Sequence, residues 1–127
     1  MLRKSALIFG SVLLAIGLLG FVPALTPDNK LLGIFEIDTI HNFIHIATGL
    51  AAIALSSSVG GARTFFQVFA IVYGLVTIAG FGGLVDDGKL LGLFHINTAD
   101  NFLHLAITLF SGYMGFVYKE DELSPRV

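Results

Sequence analysis

Apolar residues run along this chain in four long stretches, and charge is confined to the gaps between them. Ser5–Pro27, Thr39–Ala62, Thr64–Val85 and Asn101–Tyr118 contain no Asp, Glu, Lys or Arg. A helix crosses the hydrocarbon core of a bilayer with about 17–25 residues, and each stretch is long enough. The pattern predicts four transmembrane helices joined by short connections, an all-α four-helix bundle integral to the membrane. Four spans use up the chain, so residues 1–127 read as one domain with no soluble catalytic module.

Local signals mark the helix starts. Asp38 and Asn97 are good N-cap residues, with His41 and Asp100 three positions further on. Small residues recur at i,i+4 as Ala70/Gly74, Thr108/Gly112 and Ser111/Gly115, a spacing that lets helix backbones approach closely in lipid. The segments Leu31–Ile37 and Leu90–Ile96 are too apolar for open loops and too short to span. They are expected to lie in the membrane interface or to dip back into the bundle.

These two segments also open an internal repeat. Residues 31–45 read LLGIFEIDTIHNFIH and residues 90–104 read LLGLFHINTADNFLH, nine identities in fifteen positions at a constant offset of 59. A weaker match extends backward, from Gly20-Phe21 to Gly80-Phe81. Each repeat is a helix, a loop and a second helix, with boundaries at 5–59 and 64–118. Two consecutive hairpins enter the membrane in the same sense. The duplication is therefore parallel, with a pseudo-two-fold axis expected along the membrane normal.

Composition sharpens the picture. The 127 residues are 55% hydrophobic and 13% charged, with mean hydropathy +0.87. Soluble domains carry about a quarter charged residues. Cysteine is absent, which excludes disulfides, thiol chemistry and cysteine-ligated metal. A net charge of −2 gives no footprint for nucleic acid. Arg3, Lys4 and the apolar stretch after them resemble a secretory signal, but the counterpart of this segment later in the chain favours a retained first helix.

Basic residues set the orientation. Arg3, Lys4, Arg63, Lys119 and Arg126 fall on one side, and only Lys30 and Lys89 on the other. Both termini are thus expected in the cytoplasm, in an inner-membrane, multi-pass arrangement with 119–127 as a short polar tail. The opposite loops carry Asp28, Glu36, Asp38, Asp86, Asp87 and Asp100 and are acidic.

The second and fourth spans open with matching polar motifs, Thr39-Ile40-His41-Asn42-Phe43-Ile44-His45 and Thr98-Ala99-Asp100-Asn101-Phe102-Leu103-His104. His41 and His45 share a helix face at i,i+4, as do Asp100 and His104; Asn42 and Asn101 lie nearly on those faces. If the second and fourth spans flank the pseudo-axis, the two sets converge near the outer leaflet. Polar residues at membrane depth cost free energy and are expected to face the bundle. Three readings stay open. In the first, Asn42, His45, Asn101 and His104 form a structural polar cluster that satisfies loop backbone. In the second, His41, His45, Asp100 and His104 chelate a divalent metal such as zinc, or His45 and His104 hold a haem b. In the third, the His/Asp pairs handle protons or small ions, in an oligomer. Glu36 and His95 occupy equivalent positions and could pair across the axis, or stand solvated at the interface. No phosphate loop, nucleophile elbow, serine triad or HExxH is present, so enzyme readings start low.

With these residues in view, the chain resembles a family of small bacterial four-span membrane proteins grouped as domain of unknown function 4383. The resemblance rests on Gly17, Gly20-Phe21-Val22-Pro23, His41-Asn42-Phe43-Ile44-His45 with Gly49, Tyr73-Gly74, and Asn97 through His104. It implies a membrane location and four helices, and no activity. Thr108 stands where symmetry with Gly49 would place glycine, so looser packing is expected at the fourth span. The function expected is that of a small membrane protein with a structural, accessory or binding role. Its partners are the bilayer and, further, a homo-oligomer or a larger membrane complex.

Overall fold

Helix caps form where the residue pattern places them. The computed structural model describes residues 1–120 and is mostly helical, with α1 at Leu2–Leu19, α2 at Thr39–Leu55, α3 at Val59–Phe81 and α4 at Thr98–Gly112. Asp38 accepts from the His41 N–H at 2.8 Å and starts α2. Ser58 accepts from Gly61 N–H at 2.9 Å and starts α3 after a three-residue link. Asn97 and Asp100 form a reciprocal capping box at α4. Pro23 opens a 3-10 turn after α1, because proline cannot continue the helical ladder. Beyond Gly112 the helix widens into a π turn, Tyr113–Val117. From residue 121 onward, the expected tail, with Arg126, lies outside the described residues.

The all-α expectation needs one correction. The apolar connections are small antiparallel sheets: β1 (Lys30–Leu31) pairs with β2 (Phe35–Glu36), and β3 (Val85–Asp86), β4 (Lys89–Leu90) and β5 (Phe94–His95) form a second. Backbone amides and carbonyls in an apolar setting need partners, and a hairpin supplies them within few residues. The tight turns demand left-handed backbone at Leu32 (φ 55°) and Leu91 (φ 50°), each followed by a glycine at φ 73°. Leucine there costs on the order of 1–2 kcal/mol. The hairpin hydrogen bonds and the burial of Leu31 and Leu90 offset that strain.

α1 packs along α2, and α3 along α4. The first crossing is set by two glycines. A Cβ on Gly10 would lie 2.7 Å from the Gly49 carbonyl, and one on Gly49 would lie 2.6 Å from the Gly10 carbonyl. The small-residue pairs expected in α3 and α4 behave differently. Gly115 abuts the Gln67 backbone, with a Cβ 2.7 Å from its nitrogen, but Gly112 faces nothing within 4 Å. Gly74 meets only the Thr108 methyl, at 3.5 Å, so the second crossing is looser where Thr108 stands.

The core is layered. At the terminal end Phe9 meets Phe65, Phe66 and Phe110 at centroid distances of 5.9, 5.8 and 5.7 Å, which gives the abundant phenylalanine a place. Leu13, Tyr73 and Ile107 form the middle layer, and Leu90, Phe94 and Ile96 close the loop end. The outer surface is apolar too: Leu75, Ile78 and Leu109 are 64%, 70% and 66% exposed. α1 and α3 are long and apolar enough to cross a membrane, and α2 is a shorter apolar helix.

Candidate metal centre

The spacing of His41 and His45 puts both rings on one face of α2, 4.7 Å apart between centroids. α4 brings His104 to the same place, 5.7 Å from His41 and 6.3 Å from His45. All three are buried, and each offers a ligand nitrogen within 4.8 Å of the others. His41 Nδ1 lies 3.0 Å from the His95 carbonyl oxygen. A carbonyl only accepts, so Nδ1 carries the proton and the neutral ring keeps its lone pair on Nε2. That Nε2, His45 Nε2 and His104 Nδ1 have no hydrogen-bond partner among the described residues. Buried polar atoms are usually paired, and here three unpartnered imidazole nitrogens stand side by side. A metal-bound histidine normally donates its other N–H to a carbonyl or carboxylate; His41 has that arrangement.

The other expected ligand, Asp100, is not within the group of three. One of its two carboxylate oxygens is engaged by backbone, while Oδ1 is buried without a partner among the described residues. Asp100 Oδ2 accepts from the N–H of Asn97 at 2.9 Å and of Glu36 at 3.0 Å. The three nitrogens converge without it. A carboxylate in the first turn of a helix sits beside free amides and is captured by them. Asn42 and Asn101 are also aimed away from the imidazoles. Asn42 packs on Gly20 and Asn101 on Gly80, where any Cβ would collide with the carboxamide. Each asparagine therefore serves its own helix pair.

Each loop is fastened to the opposite hairpin. Asp38 Oδ2 accepts from His95 N–H at 2.7 Å and from His95 Nδ1–H at 3.0 Å, while Asn97 donates to the Ile34 carbonyl at 2.8 Å. Glu36 does not meet His95; it lies 4.0 Å from Lys30. Burial pushes the Asp38 carboxyl up, but the N–H groups of His41 and His95 and the His95 ring outweigh it and hold it below its ordinary 3.8. A depressed carboxylate contributes stability above its unfolded value and loses it as pH falls through the folded value. Thermal stability in detergent should therefore drop as the pH falls below 3.8, and Asp38→Asn should flatten that decline. An unchanged acid limb in the mutant would count against this fastening.

Two further residues, neither of them a site candidate in the sequence, stand beside the imidazoles. Tyr73 Oη and Thr48 Oγ1 are 3.0 Å apart, and Tyr73 lies 5.7 Å from His104 between ring centroids. Both line a cavity of about 280 Å³ between α2 and α3, with the three histidines, Ile44, Phe69, Val72, Val76 and Phe94. Thr48 signals itself in sequence only as a hydroxyl inside an uncharged run, and Tyr73 also through the Tyr73-Gly74 pair of the family resemblance. Chemically, the pocket can take a cation or a hydrogen-bond donor.

A family model described as a domain of unknown function, DUF4383, matches residues 3–117. The chain belongs to the DUF4383 family. The DUF4383 match spans all four helices and all three imidazoles. No curated protein and no solved structure matches the chain.

Proposed function

We propose that this chain is a four-span membrane protein, built from two parallel hairpins with both termini cytoplasmic, that binds a divalent transition metal of the zinc class through His41, His45 and His104. The observation that carries the metal reading is the convergence of three buried ligand nitrogens within 4.8 Å. Tetrahedral zinc holds imidazole nitrogens at 2.0–2.1 Å, about 3.4 Å from one another, so small side-chain rotations bring the three into range. Three protein ligands also leave one position open. Copper, nickel and iron accept the same ligands. A haem between His45 and His104 is less favoured, because the His41 ring lies 4.7 and 5.7 Å from theirs and crowds the slot.

The membrane reading is supported by two helices of sufficient length and hydropathy and by the apolar outer surface. α2 has 17 residues, about 26 Å at 1.5 Å per residue, close to the hydrocarbon thickness. The parallel duplication is supported by the 59-residue offset, which relates Leu32 to Leu91 and Gly33 to Gly92 in the same left-handed turns. A structural or accessory role is the second reading, favoured by the bonds that lace each loop to the opposite hairpin.

The test is metal analysis of tag-free protein in mild detergent, with Co²⁺ titration. About one metal ion per chain, and visible bands typical of tetrahedral cobalt, are expected. Protein that retains no metal and leaves the cobalt spectrum unchanged would refute the reading.

A further inference from the structure

The cavity beside the imidazoles has a polar floor and apolar walls, and its hydrogen bonds have a direction. Thr48 Oγ1 donates its single proton to the Ile44 carbonyl at 2.8 Å. The 3.0 Å contact with Tyr73 must then be donated by the tyrosine hydroxyl. Tyr73 Oη is left with unused lone pairs in the cavity, as an acceptor. His41 Nε2 is an acceptor as well, since its other nitrogen holds the proton. Around them Ile44, Phe69, Val72, Val76 and Phe94 provide only carbon.

A second cleft provides the contrast. It lies between α1 and α4 and is lined by Phe9, Val12, Leu13, Ile16, Leu103 and Ile107, among others. Ile107 is the counterpart of Thr48 at the 59-residue offset. Leu13 corresponds to Tyr73 at the offset of 60 that relates Gly20 to Gly80. The cleft has the corresponding pair of helices and the same kind of wall, with Leu13 and Ile107 in place of the tyrosine and threonine hydroxyls.

We propose that the α2/α3 cavity binds a neutral, lipid-soluble aromatic alcohol of one or two rings, of the phenol or hydroquinone class, whose O–H donates to Tyr73 Oη. Size agrees: about 280 Å³ is nearly twice the roughly 150 Å³ cavity that holds benzene. Charge agrees too, because the lining holds no lysine or arginine to pair with an anion. Val72 is 42% exposed at the rim, so the ligand enters from the apolar outside. The cavity shares its lining with the three proposed metal ligands, so the proposal rests on Tyr73, which is not one of them.

The experiment measures binding of 1-naphthol and of naphthalene to purified full-length protein in nanodiscs, with chelator and with zinc. Naphthol is expected to bind more tightly than naphthalene in both conditions. Tyr73→Phe keeps the ring and removes the acceptor. It should weaken naphthol about three- to tenfold, the worth of one net hydrogen bond, and leave naphthalene unchanged. Val72→Trp should close the cavity and abolish both, while Val12→Trp, in the α1/α4 cleft, should change neither. Equal affinity for the two probes, or indifference to Tyr73→Phe, overturns the proposal whether or not zinc binds. Binding lost in Val12→Trp and kept in Val72→Trp would place the ligand in the other cleft and overturn it equally.

Discussion

Replacing His45 by alanine should raise the Kd for Co²⁺ or Zn²⁺ by more than about 100-fold, because loss of an outer hydrogen-bond partner of a ligand alone costs 10–100-fold and His45 is a direct ligand in the proposed site. The same change should erase the metal-dependent part of stability. A ligand present at 100 times its Kd stabilises the folded state by about 2.7 kcal/mol, so wild-type protein should unfold at a higher temperature with zinc than with chelator. His45→Ala should unfold at one temperature in both. His95 reaches His41 through its carbonyl, from 3.0 Å, so a side-chain change there should keep metal affinity although it removes the ring's bond to Asp38. If His45→Ala loses the same stability with and without chelator, the imidazoles are structural and the metal reading fails.

The second large effect belongs to the α1/α2 crossing. Gly49→Ala should destabilise the protein by about 1–3 kcal/mol, the usual cost of overpacking. Its Cβ would meet the Gly10 carbonyl and the Leu14 nitrogen, both at 2.6 Å, and neither is a flexible side-chain end. Gly112→Ala is the matched control. Nothing lies within 4 Å of its Cβ, and alanine exceeds glycine in helix propensity by about 1 kcal/mol, so this variant should be neutral or more stable. Thermal unfolding in detergent compares the two directly. A tolerated Gly49→Ala would mean that the helices do not approach as closely as described.

Much of the local structure was legible in the residues. The uncharged runs mark the helices, and Asp38 and Asn97 mark their starts, because capping is a contest among neighbouring groups that spacing alone decides. The same locality put His41 and His45 on one face. Small-residue spacing was a poorer guide. Gly112 satisfies the pattern and has nothing within 4 Å of an added Cβ, whereas the Gly10–Gly49 contact joins two helices and depends on which glycines face each other.

The site shows the same division. Asp100 looked like a ligand because it shares a face with His104, yet its carboxylate is held by the amides of Asn97 and Glu36. One of those partners is local and could be foreseen; the other lies 64 residues away. Asn42 and Asn101 looked like members of one cluster, and each instead fills the space left by a missing Cβ on the neighbouring helix. Thr48 has no signal of its own, and Tyr73 enters only through the family resemblance, since a hydroxyl in an apolar run has no periodic signal.

Residue order therefore settles what short-range physics controls here: which stretches are apolar enough to be helices, where they start, and which polar side chains share a turn. Tertiary structure alone decides which nitrogens converge, which carboxylate is diverted, and which of two matching clefts carries acceptors. Those outcomes depend on distances between groups far apart in the chain; in the clefts, Tyr73 meets Thr48 from a different helix where Leu13 and Ile107 stand in the other, with the helical pattern the same.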